Sequence, residues 1–379
     1  MKTRDKYSYF GNSKKIIFNA IGLMSGTSLD GVDIALIKTD GDKKIILNNF
    51  KTYQYSKRLI TNMENFINTR KGIKNTNYLL TKFHADSVLS FLKDNNINYD
   101  EIDIIGFHGQ TIFHNPNESW TWQLGDGKHL STSVNIPVIS NFRYRDICLG
   151  GQGAPLVGIW HKTLLMNIKN INYPCVFINV GGVSNITYID NINNTPLSFD
   201  IGVGNGPLDL VMQKFFNQSY DVNGKISFNG DINYKALNNI LNDPWYKTPP
   251  PKSIDKNYLN HLVFNNISNL KPIDQAATLS KLISMQLKES LKFFDNDPKC
   301  LYISGGGSKN IAIMQGFFKD YNNIIASLDD NNWNADAMEA QAFAYLAVRS
   351  IKSLPYTYKI ITGVDAPTSG GLLSFPNNN

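Results

Sequence analysis

The chain has 379 residues and a mass of 42.6 kDa, long enough for two or three folded domains, and with 42% hydrophobic and 18% charged residues it is not a disordered protein. Lys and Arg number 37 against 31 Asp and Glu, a net +6 without any basic run, which suits small anionic substrates and excludes nucleic acid as the expected partner. No stretch reaches the ~20 apolar residues of a membrane span. The three scattered cysteines, Cys148, Cys175 and Cys300, argue against a disulfide framework or a CxxC zinc site, so a cytoplasmic protein is expected.

Residues 1–14 read as a polar, basic leader. The apolar stretch 16–24 is broken by Asn19 and lacks an A-x-A site, so it is not a signal peptide. Residues 15–24, 32–38 and 45–55 predict three antiparallel strands, with Ser25-Gly26-Thr27-Ser28-Leu29-Asp30-Gly31 and Asp40-Gly41-Asp42 as turns. Helical periodicity covers 57–70 and 76–95. Residues 102–107 form a short buried strand ending in His108-Gly109-Gln110, and 134–142 closes this half.

The second half repeats the theme. Strand 175–180, the small-residue turn Gly181-Gly182-Val183-Ser184, strand 185–189 and strand 197–200 come first. Gly202-Val203-Gly204-Asn205-Gly206 then leads into a helix over 207–216, with Pro207 in its first turn. A long helix over 275–294, strand 301–304, Gly305-Gly306-Gly307-Ser308 and helices over 310–321 and 336–351 complete the chain. Two similar α/β halves imply a ligand cleft between them.

Three glycine-rich turns, each after a strand, are candidate phosphate cradles of backbone N–H groups. Neither GxxxxGK[ST] nor GxGxxG occurs, so this is neither a P-loop nor a Rossmann dinucleotide site. Asp30 after the first turn could hold Mg²⁺ through water. Asp200, at a strand end before glycines, is either a turn carboxylate or a general base. Glu339, among Ala337, Ala340 and Ala342, reads first as a solvated helix-face charge. His108 is either a ligand contact or a satisfied buried histidine. Arg143 and Arg145 precede a Gly-rich loop and could grip a carboxylate or phosphate, with a surface salt bridge as the role of whichever faces outward.

The run Gly22-Leu-Met-Ser-Gly-Thr-Ser-Leu-Asp-Gly-Val-Asp33 resembles the opening signature of the anhydro-N-acetylmuramic acid kinases. His108-Gly-Gln-Thr-Ile-Phe-His-Asn-Pro116, Gly150-Gly-Gln-Gly-Ala-Pro-Leu156 and Asn179-Val-Gly-Gly-Val-Ser-Asn185 are similar to that family's pattern. So are Phe199-Asp200, Pro250-Pro-Lys-Ser253, Gly305-Gly-Gly-Ser-Lys-Asn310 and Asp336-Ala-Met-Glu-Ala-Gln-Ala-Phe343, all in order over about 16–365. The resemblance implies an α/β fold of two RNase H-like domains around an interdomain ATP cleft, as in actin, Hsp70 and hexokinase. Residues 1–135, joined by about 360–379, would form one domain and 136–360 the other. It also implies an ATP- and Mg²⁺-dependent opening and phosphorylation of 1,6-anhydro-N-acetylmuramic acid in cell-wall recycling, and a homodimer.

Carried over by residue, the ATP positions are Gly26, Thr27, Ser28, Leu29, Asp30, Gly31, Val32 and Asp33 in the first turn, Gly202, Gly204 and Asn205 in the second, and Gly305, Gly306 and Gly307 near the nucleoside. Asp200 would be the base, and His108, Thr111, Arg143 and Glu339 would face the sugar. The chain departs from the family's habit at Asn141, Gly158, Ile201 and Val203, the last two bearing on the second turn's shape. The competing readings are another sugar kinase of the same superfamily and a nucleotide-gated binding protein without catalysis. The non-ATP segments at His108 and Arg143 argue against the first. Asp30, Asp200 and Glu339 argue against the second.

Overall fold

The computed structural model describes residues 16–26 and 29–377. The first stretch of chain carries β1 (Phe18–Ser25), β2 (Gly31–Thr39), β3 (Ile45–Gln54), α1 (Lys57–Thr69), α2 (Ile73–Asp94), β4 (Ile104–Asn115) and β5 (Trp120–Leu124). There follow α3 (Gly127–Val134), β6 (Val138–Ser140), α4 (Tyr144–Cys148) and α5 (Gly158–Met166). Next come β7 (Cys175–Val180), β8 (Val183–Ile189), β9 (Leu197–Val203), α6 (Asn205–Phe216), α7 (Tyr234–Leu241), α8 (Lys256–Ile267) and α9 (Pro272–Ser290). The chain ends through β10 (Cys300–Ser304), α10 (Ile311–Tyr321), α11 (Met338–Ile351) and β11 (Leu372–Ser374).

These elements group into two compact units. The first contains the described residues up to Lys169, Ala337–Tyr358 and the described residues from Val364; the second contains Asn170–Asp336 and Lys359–Gly363. The C-terminal segment from Val364 lies with the first unit, and the first boundary falls at 169/170 where the sequence suggested 135/136. Its physical reason is α11, whose side chains bind α5: Trp160 Nε1 donates to Met338 Sδ at 3.3 Å, and Thr163 Oγ1 lies 2.8 Å from the Tyr345 hydroxyl. Burying that shared surface keeps both helices with the first sheet.

The first sheet runs β11-β6-β4-β1-β2-β3, with β5 paired to the far half of β4. β1 is antiparallel to β2 and parallel to β4, and β4 is parallel to β6. Helix α11 lies directly on this sheet because glycine lets it: a Cβ on Gly22 would strike the Ala340 carbonyl, and one on Gly106 the Phe343 carbonyl. The alanines at 340, 342, 344 and 347 are buried, so the Ala-rich spacing marks a core helix.

The second sheet runs β10-β7-β8-β9, with β7–β8–β9 antiparallel and β10 parallel to β7. Its strand order matches β4-β1-β2-β3 of the first. A single parallel bridge, Leu301 to Ile325, stands where β6 extends the first sheet. Val176, Ile178, Phe199 and Ile201 of the strands pack against Leu279, Leu282, Ile283 and Leu287 of α9 in one core. The expected α/β architecture of paired RNase H-like sheets is thus present in both units.

Several local expectations change. β4 does not end at His108 but continues to Asn115, because β5 pairs with it from Gln110 onward. Residues 134–142 divide into the end of α3 and the short β6. α9 starts at Pro272, an N1 proline that periodicity from 275 overlooks. β9 runs through Gly202 to Val203. Cys175 and Cys300, distant in sequence, are register partners on β7 and β10. The leader at 1–14 lies outside the described residues, and among those described no helix is long and apolar enough to cross a membrane.

Candidate active site

In the first unit, the turn after β1 starts from a buried side-chain relay. The Tyr55 hydroxyl donates to Ser25 Oγ at 2.9 Å, and Ser25 Oγ lies 2.8 Å from His84 Nε2. His84 Nδ1 lies 2.8 Å from the Leu80 carbonyl, which can only accept, so Nδ1 carries the proton and Nε2 accepts from Ser25. Burial lowers the His84 pKa to about 4, which keeps the ring neutral. Gln110, the register partner of Ser25, donates from Nε2 to the Gly26 carbonyl at 3.0 Å. Leu29 takes φ 57°, and Asp30 stands exposed with its carbonyl accepting from Tyr55 N. Val32 is core, so only its backbone could meet a ligand, and Asp33 on β2 accepts from Thr52 Oγ1 at 2.5 Å. Thr27 and Ser28 lie outside the described residues.

The same unit brings together three of the expected sugar-side residues. His108 is 4% exposed and its Nδ1 bonds the Gly109 carbonyl at 2.8 Å, which leaves Nε2 as an acceptor. Arg143 donates to that Nε2 from Nε at 3.3 Å and approaches it with Nη2 at 3.0 Å, while Nη1 donates to the Gly153 carbonyl at 2.8 Å. Burial first, and then the Arg143 charge, hold His108 well below its ordinary pKa, so it serves as a neutral prop for a cation. Gly153 is itself placed by Asp146, whose Oδ2 accepts from Gly153 N at 2.7 Å. Glu339 sits in the first turn of α11, partly buried rather than a solvated charge. Burial, reinforced by the Asp33 carboxylate, raises its pKa to about 7, with Arg143 pulling the other way. Arg145 is exposed, whereas Arg143 is partly buried. Thr111 is half-buried on β4.

In the second unit three turns meet at one end of the sheet. Gly204 N and Gly206 N each donate to the Gly182 carbonyl at 3.2 Å, and Asn205 N donates to Gly181 O at 2.6 Å. A Cβ on Gly204 would strike the Gly181 carbonyl, and one on Gly305 would come within 2.6 Å of Val180 O. Positions for Cβ atoms on Gly306 and Gly307 lie 3.1 and 3.0 Å from the Asn205 amide. The amides at 204–206 are therefore engaged with the β7–β8 hairpin. By strand order that hairpin, Gly181-Gly182-Val183, is the counterpart of the Ser25–Asp30 turn. Glycine counting alone pointed to 202–206 instead.

Asp200 sits on β9, 7% exposed. Its backbone N donates to the Lys252 carbonyl at 2.9 Å, and its Oδ2 accepts from Ile254 N at 3.0 Å. It is a held carboxylate inside the fold, not a solvent-facing turn residue. Gly202, at φ +139°, leaves room for Tyr246 and Gln286. Lys252, a residue of the Pro-Pro-Lys-Ser motif to which no role attached, is buried beside it. Among the described residues no group of three or more His, Cys, Asp and Glu could hold a metal ion. A Mg²⁺ site needs only one or two carboxylates beside phosphates and water, and Asp30 is exposed.

Two sheets of this strand order in one chain define an α/β protein of the actin and hexokinase class. A profile of the family described as anhydro-N-acetylmuramic acid kinase matches residues 18–376. An anhydro-N-acetylmuramic acid kinase of Rhodopseudomonas palustris is 38% identical over 95% of this chain and 100% of its own length. One from Zymomonas mobilis is 36% identical over 94% and 99%. Among solved structures, component A of the (R)-2-hydroxyglutaryl-CoA dehydratase of Acidaminococcus fermentans is 13% identical, with a TM-score of 0.43 over 89% of this chain and 100% of that one. The chain belongs to the anhydro-N-acetylmuramic acid kinase family.

Proposed function

We propose that the protein uses ATP and water to convert 1,6-anhydro-N-acetylmuramic acid into N-acetylmuramic acid 6-phosphate and ADP, a step of cell-wall recycling. The observation that carries this reading is the family match along essentially the whole chain. The 1,6-anhydro bridge joins O6 to the anomeric carbon. Asp200 takes a proton from water as the water oxygen attacks that carbon, the C1–O6 bond breaks, and O6 attacks the γ-phosphorus as ADP leaves. The held position of Asp200 supports its role as base. Arg143, propped by neutral His108, grips the lactyl carboxylate, with Glu339 and Thr111 lining the sugar's surroundings.

The Gly26–Asp33 turn, the Gly202–Asn205 segment with the Gly181 hairpin beneath it, and Gly305–Gly307 serve the nucleotide. Asp30 would hold Mg²⁺ through water, and the ion would supply charge neutralisation on the transferring phosphoryl group. ADP release measured with and without the anhydro sugar tests the reading. ADP should appear only when the anhydro sugar is present. Release driven equally by a neutral hexose would assign the protein to another sugar kinase, and no release with any sugar would leave it a nucleotide-binding protein.

A further inference from the structure

Lys252 lies in the Pro250-Pro-Lys-Ser253 run, yet the proposed reaction gives it no role. Its side chain is buried at 5% exposure, where a lysine is rarely found. The ammonium donates to two backbone carbonyls, Trp245 O at 3.3 Å and Tyr246 O at 3.2 Å. It also lies over the rings of Trp245, 4.4 Å from the centroid, and Phe293, 4.7 Å away. The backbone around it is the strip that holds Asp200: residue 252 accepts from Asp200 N, and residue 254 donates to Asp200 Oδ2. Trp245 Nε1 adds a bond to the Ser253 carbonyl at 3.2 Å. An aliphatic side chain would fill this aromatic setting more cheaply, because burying a cation costs several kcal/mol before compensation. The charge therefore calls for a role.

We propose that Lys252 is the positioning residue for the base: its buried ammonium pins the 252–254 strip to the Trp245–Tyr246 segment and sets a positive charge in the field of Asp200. This rests on Asp200 being the base. Burial lowers the Lys252 pKa to about 8, with Asp200 opposing the drop, so the cation is present at neutral pH and lost on the alkaline side. The other ionisable groups around the adjoining pocket of about 270 Å³ are Tyr246 and Lys247 from the short helix Pro244–Lys247 and Glu289 from α9. Glu289 is already paired with Lys292 at 2.6 Å.

The test is the pH profile of kcat/KM for the anhydro sugar in wild type, Lys252→Met and Lys252→Arg, with Asp200→Asn in parallel. Lys252→Met should lower kcat by about ten- to hundredfold while KM for ATP changes little. Its acid limb should move up by roughly one pH unit, because Asp200 loses a positive neighbour. The alkaline decline near pH 8 should disappear, and Lys252→Arg should keep the acid limb in place. If Lys252→Met fails to fold, Lys252→Gln carries the same comparison. A variant that loses activity with both limbs unmoved makes Lys252 a packing residue and overturns the proposal. Undiminished turnover in Asp200→Asn overturns the base assignment instead, and the two failures are told apart by that variant.

Discussion

The two units use one strand order but secure their hairpin turns by opposite means. After β1, side chains do it: Tyr55, Ser25, His84 and Gln110 hold the turn from below, and the turn itself can carry Leu29 and Asp30. After β7, backbone does it: amides at 204–206 donate to Gly181 and Gly182, and the approach is so close that Gly204 admits no Cβ. The side-chain anchor passes through a titratable ring, His84, whereas the backbone anchor contains no titratable group and leaves no room for a Cβ on Gly204. In the proposed reaction the sugar grip belongs to the first unit and the base to the second.

The largest expected effect is at the base. Asp200→Asn keeps the shape and the Ile254 bond acceptor, and turnover should fall at least ~10²-fold with ATP affinity, read by calorimetry, preserved. Turnover within a fewfold of wild type would move the base out of the second unit.

The first unit should show two pH signatures of opposite sign, both read by chemical denaturation. Glu339 has a folded pKa of about 7, above its ordinary 4.5, so the folded state binds more protons between those values. Its contribution is complete below pH 4.5 and is lost as pH rises through 7, by up to about 3 kcal/mol, and Glu339→Gln should flatten that slope. His84 is the reverse. Its folded pKa of about 4 lies below the ordinary 6.5, so its contribution is intact above pH 6.5 and lost as pH falls towards 4. His84→Gln should remove that acid sensitivity, and an unchanged acid slope would mean that His84 does not anchor the turn. Gly204→Ala, in the second unit, should cost about 1–3 kcal/mol at every pH, since only sterics are involved. A pH-dependent loss there would erase the contrast between the two anchors.

Much of the fold was legible because its markers are local. Gly and Asp turns between apolar strands reveal β1–β3 and β7–β9, and Ala spacing reveals α11. The parts that were not legible depend on partners far along the chain. The spare hydrogen-bond edge of β4 beyond His108 is visible only once β5 is known to cover it. Glu339 looks like a surface charge until Gly22 and Gly106 are seen to draw α11 onto the sheet. The amides after Gly202 look available until the Gly181 hairpin is placed beneath them. Lys252 stands in the Pro250-Pro-Lys-Ser253 run, but nothing in that run shows that its ammonium is buried against Trp245 and Phe293. Asp200 and Arg143, the proposed base and sugar grip, draw the eye through the glycine runs that follow them, although Asp200 lies inside β9 rather than at its end.

The central claim is that Arg143 in the first unit recognises the lactyl carboxylate while the second unit supplies the base. The most direct measurement compares kcat/KM for 1,6-anhydro-N-acetylmuramic acid with that for 1,6-anhydro-N-acetylglucosamine, which lacks the lactyl group, in wild type and in Arg143→Ala. A charge-assisted contact of about 1.5–3 kcal/mol corresponds to a roughly ten- to hundredfold preference for the lactyl sugar in the wild type. Arg143→Ala should abolish that preference with ATP affinity nearly unchanged, and Arg143→Lys should restore part of it. A preference that survives in Arg143→Ala, or a loss that falls on ATP instead, would contradict the account.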